Sequence, residues 1–315
     1  MKNSSEQSRE SKQRRTTIVL IALAHVLLVA LVVLILLPGQ KAVPEPTAFL
    51  VTILLIECFY LFRLIRKKTS PVAASWIVIF AWTALFIWEL VTTQLNRVHP
   101  VLMPAPEAVF NVFPTQYEAL INNTFASLEL LFMGAVTAII AGVILGAIAG
   151  WVKGLRDVFA PIARVLAPIP SVVFAPYLVA LMPSFRSASA MVIFIGVFWP
   201  TFLNIIVRVT SIDRRIIESA RMLELSSFDM VRKVILPYII PSVVNGLNTQ
   251  LTASIMMLTF AEMLGASAGL GYYIINYTYF ANYTNVIAGI IVVGIVVTLL
   301  NWAINIIKRK TVRWR

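Results

Sequence analysis

The chain alternates long apolar runs with short polar segments, and this pattern predicts its architecture. A bilayer core about 30 Å thick needs roughly 20 mostly apolar residues in a helix, because backbone amides in lipid must bond within their own segment. The pattern predicts eight such spans, near residues 18–37, 48–65, 71–95, 122–150, 157–182, 188–208, 239–265 and 284–307. The predicted fold is an all-α integral membrane protein with about eight transmembrane helices.

The polar segments divide these spans into groups. Residues 1–15 are rich in Ser, Gln, Lys, Arg and Glu and have too little apolar surface to fold alone, so we predict a mobile cytoplasmic tail. A basic linker, 63–71, then separates the first two spans from the other six. We therefore predict two accessory helices in 16–70 and a six-helix domain in 71–315. We expect the first span to be retained, because no small-x-small cleavage site follows it.

Composition agrees with a bilayer environment, since 59% of residues are hydrophobic, 13% are charged and the mean hydropathy is +0.87. The net charge of +12 would suit nucleic-acid binding, but the positions of the basic residues indicate topology instead. With the N-terminus inside, 23 of the 26 Lys and Arg residues fall on the cytoplasmic side, and only Lys41, Arg97 and Arg186 fall outside. The positive-inside rule therefore predicts that both termini are cytoplasmic and that the partner is lipid, not nucleic acid.

The fifth span contains four prolines, Pro161, Pro168, Pro170 and Pro176. Each removes a backbone donor, so we predict a kink or break around the stretch from Pro168 to Ser171. Irregular backbone at membrane depth is tolerated only where protein or a water-filled cavity covers it. This stretch is therefore a candidate for lining a translocation pathway, and a purely structural kink is the alternative.

The fourth span carries small residues at four-residue intervals, a spacing that puts them on one helix face. These are Gly134, Ala138, Gly142, Gly146 and Gly150. A smooth stripe of this kind lets another helix backbone approach closely. We predict a packing face here, not a ligand site.

Four glutamates lie within or near the spans, where an unpaired charge is costly, so each should face protein, water or headgroups. They are Glu57, Glu89, Glu129 and Glu262. Glu89 and Glu129 fall near external halves and are expected to reach water. Glu262 precedes a glycine-rich turn and is the candidate for a role in transport. The single cysteine, Cys58, excludes an intrachain disulfide, and we expect it to contribute only packing.

Between the sixth and seventh spans, the cytoplasmic loop 212–241 is patterned as two short helices. In the first, Ile212, Ile216, Ala220 and Leu223 repeat at helical spacing and predict a packed face, while Arg214, Glu218 and Arg221 occupy another face. Ser226 or Ser227 can cap the second helix, with Asp229 near its positive end and Pro237 at its end or at a kink. Taken alone, this pattern also suits a helix pair anchored at the membrane surface.

Glu218-Ser219-Ala220, followed at a fixed distance by Ile235-Leu236-Pro237, resembles the "EAA" loop of binding-protein-dependent ABC importer permeases. The resemblance covers roughly 80–310 and is greatest to the nitrate, sulfonate and taurine branch. Other segments similar to that branch are Met103–Pro106, Ala126–Leu128 with Gly134, Leu166–Ser171, Ala261–Met263 with Gly269–Gly271, and Arg313-Trp314.

Three positions depart from the family pattern: Ser219 replaces an alanine, Leu130 lies near a usual basic residue, and Glu224 replaces a glycine. Glycine adopts a left-handed backbone without strain, whereas a glutamate in that conformation costs about 1 kcal/mol. The resemblance implies that the loop docks into a groove of a cytoplasmic ABC ATPase. The residues it marks for coupling are Arg214, Glu218, Ala220, Leu223, Glu224, Ser226, Leu236 and Pro237, and the possible pathway residues are Pro168, Pro170, Ser171, Pro176 and Glu262.

The resemblance further implies an extracytoplasmic substrate-binding protein, a second permease copy or paralogue, and a place in the bacterial inner (cytoplasmic) membrane. The solute it implies is a sulfonate, a nitrate-like anion or a heterocyclic vitamin precursor. The chain has no Gly-x-x-x-x-Gly-Lys-Ser/Thr loop for ATP phosphates, so we expect no enzyme activity and no cofactor of its own. ATP and Mg²⁺ would be used by the partner ATPase.

Two other function classes remain open on the sequence. An ion-coupled secondary transporter or channel could use the carboxylates in the spans, and it would continue to transport without an ATPase. A membrane scaffold could use the loop as an anchor only, and its deletion would leave solute uptake intact.

Overall fold

The computed structural model describes residues 4–66 and 70–311, which form helices joined by short loops, with no strand among them. The α-helices are α1 (Ser4–Leu36), α2 (Thr47–Ile65), α3 (Pro71–Glu89), α4 (Pro106–Thr115), α5 (Tyr117–Leu131), α6 (Thr137–Trp151), α7 (Lys153–Leu166), α8 (Ala175–Leu181), α9 (Phe185–Thr210), α10 (Arg214–Arg221), α11 (Ser227–Asp229), α12 (Leu236–Met263), α13 (Leu270–Tyr279) and α14 (Tyr283–Thr311). Wider π-helical turns occur at Leu90–Gln94, Phe132–Val136 and Met230–Ile235. Residues 1–3 of the predicted tail and the Arg313-Trp314 match lie outside the described residues.

Within the described ranges, seven helical segments are long and apolar enough to cross a membrane, and the bent pair Lys153–Leu166 and Ser171–Leu181 is an eighth candidate. The two arms of that pair meet at 85°. Pro168 and Pro170 lie in the break, a short 3₁₀ turn covers Ser171–Phe174, and Pro176 lies in the first turn of α8. The all-α architecture with about eight spans is confirmed, and so is the predicted break in the fifth span.

Packing divides the chain into two units, residues 1–117 with 277–288 and residues 118–276 with 289–315. In the first unit, α1 packs on α3, and α2 packs on α3 and α4. Division by packing therefore differs from the sequence-based boundary at residue 71, which stays a prediction. Helix α1 begins at Ser4, so most of the segment expected to be a mobile tail has a helical backbone continuous with the first span.

Two expectations for the first unit were wrong. Cys58, expected to pack, is exposed. Glu89, expected to reach water, is fully buried. The Thr93 hydroxyl lies 3.2 Å from a carboxyl oxygen of Glu89 and 3.2 Å from one of Glu107, on the short helix α4. The face that a mid-helix side chain presents depends on its neighbours, which hydropathy alone does not specify.

Glu57 lies where the sequence placed it, inside the accessory helix pair. It is 9% exposed, and its Oε1 atom lies 3.2 Å from His25 Nε2 on α1. His25 Nδ1 is 2.7 Å from the Ile21 carbonyl oxygen. Glu57 therefore faces protein, as its cost in lipid requires.

In the second unit, the glycine stripe packs against α9, as predicted. A Cβ added at Gly142 would lie 3.0 Å from Thr201 Cβ, and one added at Gly150 would lie 2.7 Å from Val209 Cβ. Gly134 and Gly146 approach the same helix equally closely. This contact joins α6 and α9 into the framework that carries the cytoplasmic loop.

Candidate coupling segment and translocation residues

The first helix of the cytoplasmic loop, α10, is held at both ends. Asp213 caps it by accepting a hydrogen bond from the Arg215 backbone N–H at 2.9 Å. At its other end, the Arg221 guanidinium lies 5.9 Å from the centroid of the Trp151 ring, on α6. On the exposed face, Arg214 Nε donates to Glu218 Oε1 at 2.7 Å, in the predicted i,i+4 arrangement.

The predicted packed face of this loop is only half correct. Ile212 and Ala220 are buried, 8% and 7% exposed, in a cluster that includes Met230. Ile216 is 38% exposed and Leu223 is 72% exposed. The helix ends at Arg221, so Leu223 falls in the following turn and cannot share the helix face. Its helical spacing in the sequence was therefore misleading.

Glu224 adopts the left-handed conformation that the family's glycine would provide. Its φ is +51°, and its backbone N–H donates to the Arg221 carbonyl oxygen at 2.9 Å. The turn therefore keeps the shape expected of glycine and carries the conformational cost of a side chain with a Cβ.

The second helix begins as predicted, because Ser226 Oγ accepts a hydrogen bond from the Asp229 backbone N–H at 3.1 Å. Asp229 also pairs with Lys233 at 3.0 Å, one turn along. The predicted end at Pro237 takes the form of a change in helix type. A π-turn over Met230–Ile235 leads directly into α12, with Leu236 and Pro237 as its first two residues.

The turn between the two helices and the start of the second helix expose three large apolar side chains. Met222 is 84% exposed, Leu223 is 72% exposed and Phe228 is 71% exposed. Leu223 was predicted as a coupling residue, whereas Met222 and Phe228 were not. Together these three residues form the apolar tip of the loop.

Ser171, in the break of the fifth span, is fully buried. Its hydroxyl donates to Met257 Sδ of α12 at 3.2 Å. A Cβ added at Gly196 of α9 would lie 2.5 Å from Ser171 Oγ, so the absence of a side chain at Gly196 admits this contact. The break is therefore packed between α9 and α12.

Glu262 is 1% exposed and holds the turn that follows α12. Its carboxylate accepts hydrogen bonds from the Ser127 hydroxyl at 2.6 Å and the Gly271 backbone N–H at 2.7 Å. Ser127 Oγ in turn accepts from the Leu270 N–H at 2.8 Å, and Asn123 Oδ1 accepts from the Gly269 N–H at 2.8 Å. This turn clamp joins α5, α12 and α13 through three successive backbone amides. Glu262 positions backbone here, and its assignment to a transport pathway stays a prediction.

Glu129 reaches the surface, as expected, with its side chain 61% exposed, and it forms an ion pair with Arg186. Arg186 is one of the three basic residues predicted to lie outside. The pair borders a cavity of about 170 Å³ between α5, the start of α9 and the turn before α13.

Comparison with known proteins identifies the family. Residues 138–313, more than half of the chain, match the family described as binding-protein-dependent transport system inner membrane component. A nitrate import permease protein of Leptolyngbya laminosa is 29% identical over 78% of this chain and 88% of its own length. The taurine transport system permease protein of Escherichia coli K12 is 24% identical over 79% of this chain and 90% of its own length.

The fold agrees with this match. The chain is similar to a chain from an inward-facing structure of the MetNI methionine ABC transporter, with a TM-score of 0.54 and 22% sequence identity, over 64% of this chain and 99% of that one. These relatives are transport proteins and not enzymes. The chain therefore belongs to the family of binding-protein-dependent transport system inner membrane components, and it is a multi-pass inner-membrane permease subunit of an ABC importer.

Proposed function

We propose that this permease moves a small solute bearing a sulfonate or nitrate group, which an external binding protein delivers. Residues 212–236 couple it to a separate cytoplasmic ATPase. The named solutes of two relatives, nitrate and taurine, support this class, since both carry several oxygens on one central atom. A heterocyclic vitamin precursor is the competing solute class for the assay below.

The apolar tip of the loop is the observation that carries the coupling proposal. Met222, Leu223 and Phe228 are at least 71% exposed on a segment rich in charged residues. Large apolar side chains exposed among charged residues are typical of protein interaction sites. An ATPase groove that accepts a short helix and its turn would bury the tip, and the exposed Arg214–Glu218 pair would lie at the rim.

The same loop is anchored firmly enough to transmit force. Ala220, Met230 and Ile235 are buried, at most 7% exposed, in one cluster with Ile205 and Val209 of α9. Close-packed side chains have few voids to absorb displacement, so a push on the tip passes to the spans.

We infer that two permease copies, or one copy and a paralogue, enclose the pathway, with two ATPase subunits below. We also infer that both termini lie in the cytoplasm, because 23 of the 26 basic residues fall on the cytoplasmic side in that orientation. Moving the pathway from 1:99 to 99:1 in favour of the outward-open state needs about 5.5 kcal/mol of differential stabilisation, which ATP binding would supply.

The test uses the permease reconstituted in vesicles with its ATPase and binding protein. Leu223→Ser should weaken ATPase copurification and reduce solute-stimulated ATP hydrolysis by about tenfold, the loss expected from removing one well-buried apolar contact. Glu218→Lys should abolish stimulation while leaving membrane insertion intact. Glu45→Lys is the matched charge control, because Glu45 is exposed in the loop between α1 and α2, on the predicted external side.

The result that overturns the coupling role is normal stimulation by both loop variants. Transport of taurine or nitrate without any ATPase would instead favour an ion-coupled transporter. Uptake of a pyrimidine or thiazole compound, with neither anion transported, would reject the solute class and leave the coupling role intact.

A further inference from the structure

A groove with several polar side chains in a largely apolar lining runs between α9 and α12 within the second unit. It consists of two adjoining cavities of about 150 and 230 Å³, which share Asn204, Gly246 and Gln250 in their linings. The first alone has room for about five water molecules at roughly 30 Å³ each, and thus for a small solute. Neither Asn204 nor Gln250 was marked by the sequence analysis.

Two amide side chains in the lining of the groove, Asn204 and Gln250, can hydrogen-bond a solute. The Gln250 amide donates to Thr201 Oγ1 at 2.7 Å, and the Thr201 hydroxyl donates to the Val197 carbonyl at 2.6 Å, which fixes the Gln250 side chain across the groove. Asn204 lines both cavities and is exposed, so its amide is open to water or a polar solute.

The neighbouring face of α12 is also too polar for lipid. Asn245, Thr249 and Thr252 are all exposed on a segment that is otherwise long and apolar enough to cross the membrane. Polar side chains within spans normally face protein or a water-filled cavity. This face therefore belongs on the pathway side of the helix and not against acyl chains.

Arg208 gives the groove a positive charge. It is the one charged side chain in the lining of the first cavity, it is exposed, and it makes no salt bridge with any described residue. No carboxylate lines either cavity in the described part of the chain. A guanidinium presents several N–H donors in the geometry that oxyanions accept.

The outer end of the groove meets the broken fifth span. Gly196, which lines the second cavity, is the residue against which Ser171 Oγ packs. The break predicted to line a pathway thus lies behind the wall of the groove.

We propose that this groove is the surface along which a small oxyanion crosses the permease, and that Arg208 draws the anion toward the cytoplasmic end. The amides of Gln250 and Asn204 replace part of its hydration. This assignment rests on the proposed function, since it names the groups that handle the proposed class of solute.

One experiment fills the groove. A Cβ added at Gly246 meets nothing within 4 Å, so Gly246→Leu should fold and project into the cavities. Gly294 on α14 is equally open and lines neither cavity, so Gly294→Leu is the matched control. Taurine or nitrate uptake should fall by about tenfold or more for Gly246→Leu, because the added side chain occupies the solute's volume. Uptake equal to that of the control variant, at equal membrane insertion, overturns the proposal.

A second experiment measures how the charge of the groove affects the reaction of charged thiol reagents, and it needs no partner protein. Cys58→Ser removes the native thiol, and Asn204→Cys then places one in the groove. The sulfonate reagent MTSES and the cationic reagent MTSET should both react with it. Arg208→Gln should lower the MTSES-to-MTSET rate ratio by roughly five- to tenfold, as expected for one charge about 6 Å away in water. A cysteine at Ile290, exposed on α14, should stay unreactive in the membrane.

These results separate the two claims. An unreactive thiol at position 204, or a rate ratio unchanged by Arg208→Gln, rejects the groove even where the complex transports taurine or nitrate. A reactive, anion-selective groove in a permease whose assembled complex transports neither anion would reject the proposed solutes and support the groove as an anion surface.

Discussion

Glu224 offers the sharpest test of the loop's conformation. Its φ of +51° places a residue with a Cβ in the left-handed region, which costs roughly 1–2 kcal/mol for an L-residue. Glu224→Gly removes that cost but gives the unfolded turn more freedom, which takes back about 0.4–1 kcal/mol. The net effect is a turn stabilised by about 0.5–1 kcal/mol.

Hydrogen exchange measures this directly. Exchange is carried out on the whole permease and read in the proteolytic fragments that cover residues 212–236. Amides protected by the turn should exchange about two- to fivefold more slowly in Glu224→Gly than in the wild type, after correction for intrinsic rates. Glu224→Ala is the matched control, because it removes the carboxylate and keeps the Cβ. It should leave the exchange rates nearly unchanged.

Two outcomes would refute the reasoning. Faster exchange in Glu224→Gly would mean that the glutamate side chain, not the backbone, holds the turn. Slowing by an equal factor in Glu224→Ala would point to relief of charge repulsion, because alanine gains nothing in the left-handed region.

Two further predictions concern the frame of the second unit. Glu262→Ala should lower the thermal midpoint of the detergent-purified permease, because it leaves the Gly271 N–H buried without an acceptor at a cost of about 1–3 kcal/mol. Glu262→Gln should lower the midpoint less. Equal midpoints for Glu262→Ala and the wild type would contradict the clamp. Gly150→Ala should destabilise by about 1–3 kcal/mol because the new carbon meets Val209, whereas Gly154→Ala, with open space around it, should not. Identical melting of the two alanine variants would count against the packed stripe.

The features predicted correctly depend on residues that are close together in the sequence. The length of an apolar run specifies a span, prolines specify the break before Ser171, and four-residue spacing specifies the stripe ending at Gly150. Ser226 could be predicted as a cap for the same reason, because the bond it makes reaches only three residues along the chain.

The features missed depend on where elements end and what they meet. Leu223 keeps helical spacing, but α10 stops two residues earlier, so the side chain turns outward. Glu89 is buried, and the Thr93 hydroxyl links it to Glu107 on another helix, a contact that the sequence around Glu89 does not predict. In the groove, Gln250 donates a hydrogen bond to Thr201, which lies 49 residues away in the sequence. In the sequence, each is an isolated polar residue within an apolar span, so their contact could not be predicted.

The helical run Ser227–Met263 has the geometry of a lever arm. Its 37 residues extend about 55 Å, with the loop contacts near one end and the turn clamp at Glu262 at the other. Gly246 lies 16 residues from Glu262 and Ser227 lies 35 from it, so a rod pivoting at the clamp would move the α12 wall of the groove by about half the displacement applied at the loop. Glu262→Ala, which weakens the clamp, should reduce the displacement of α12 at the groove. It should leave the contact between the apolar tip and the ATPase unchanged.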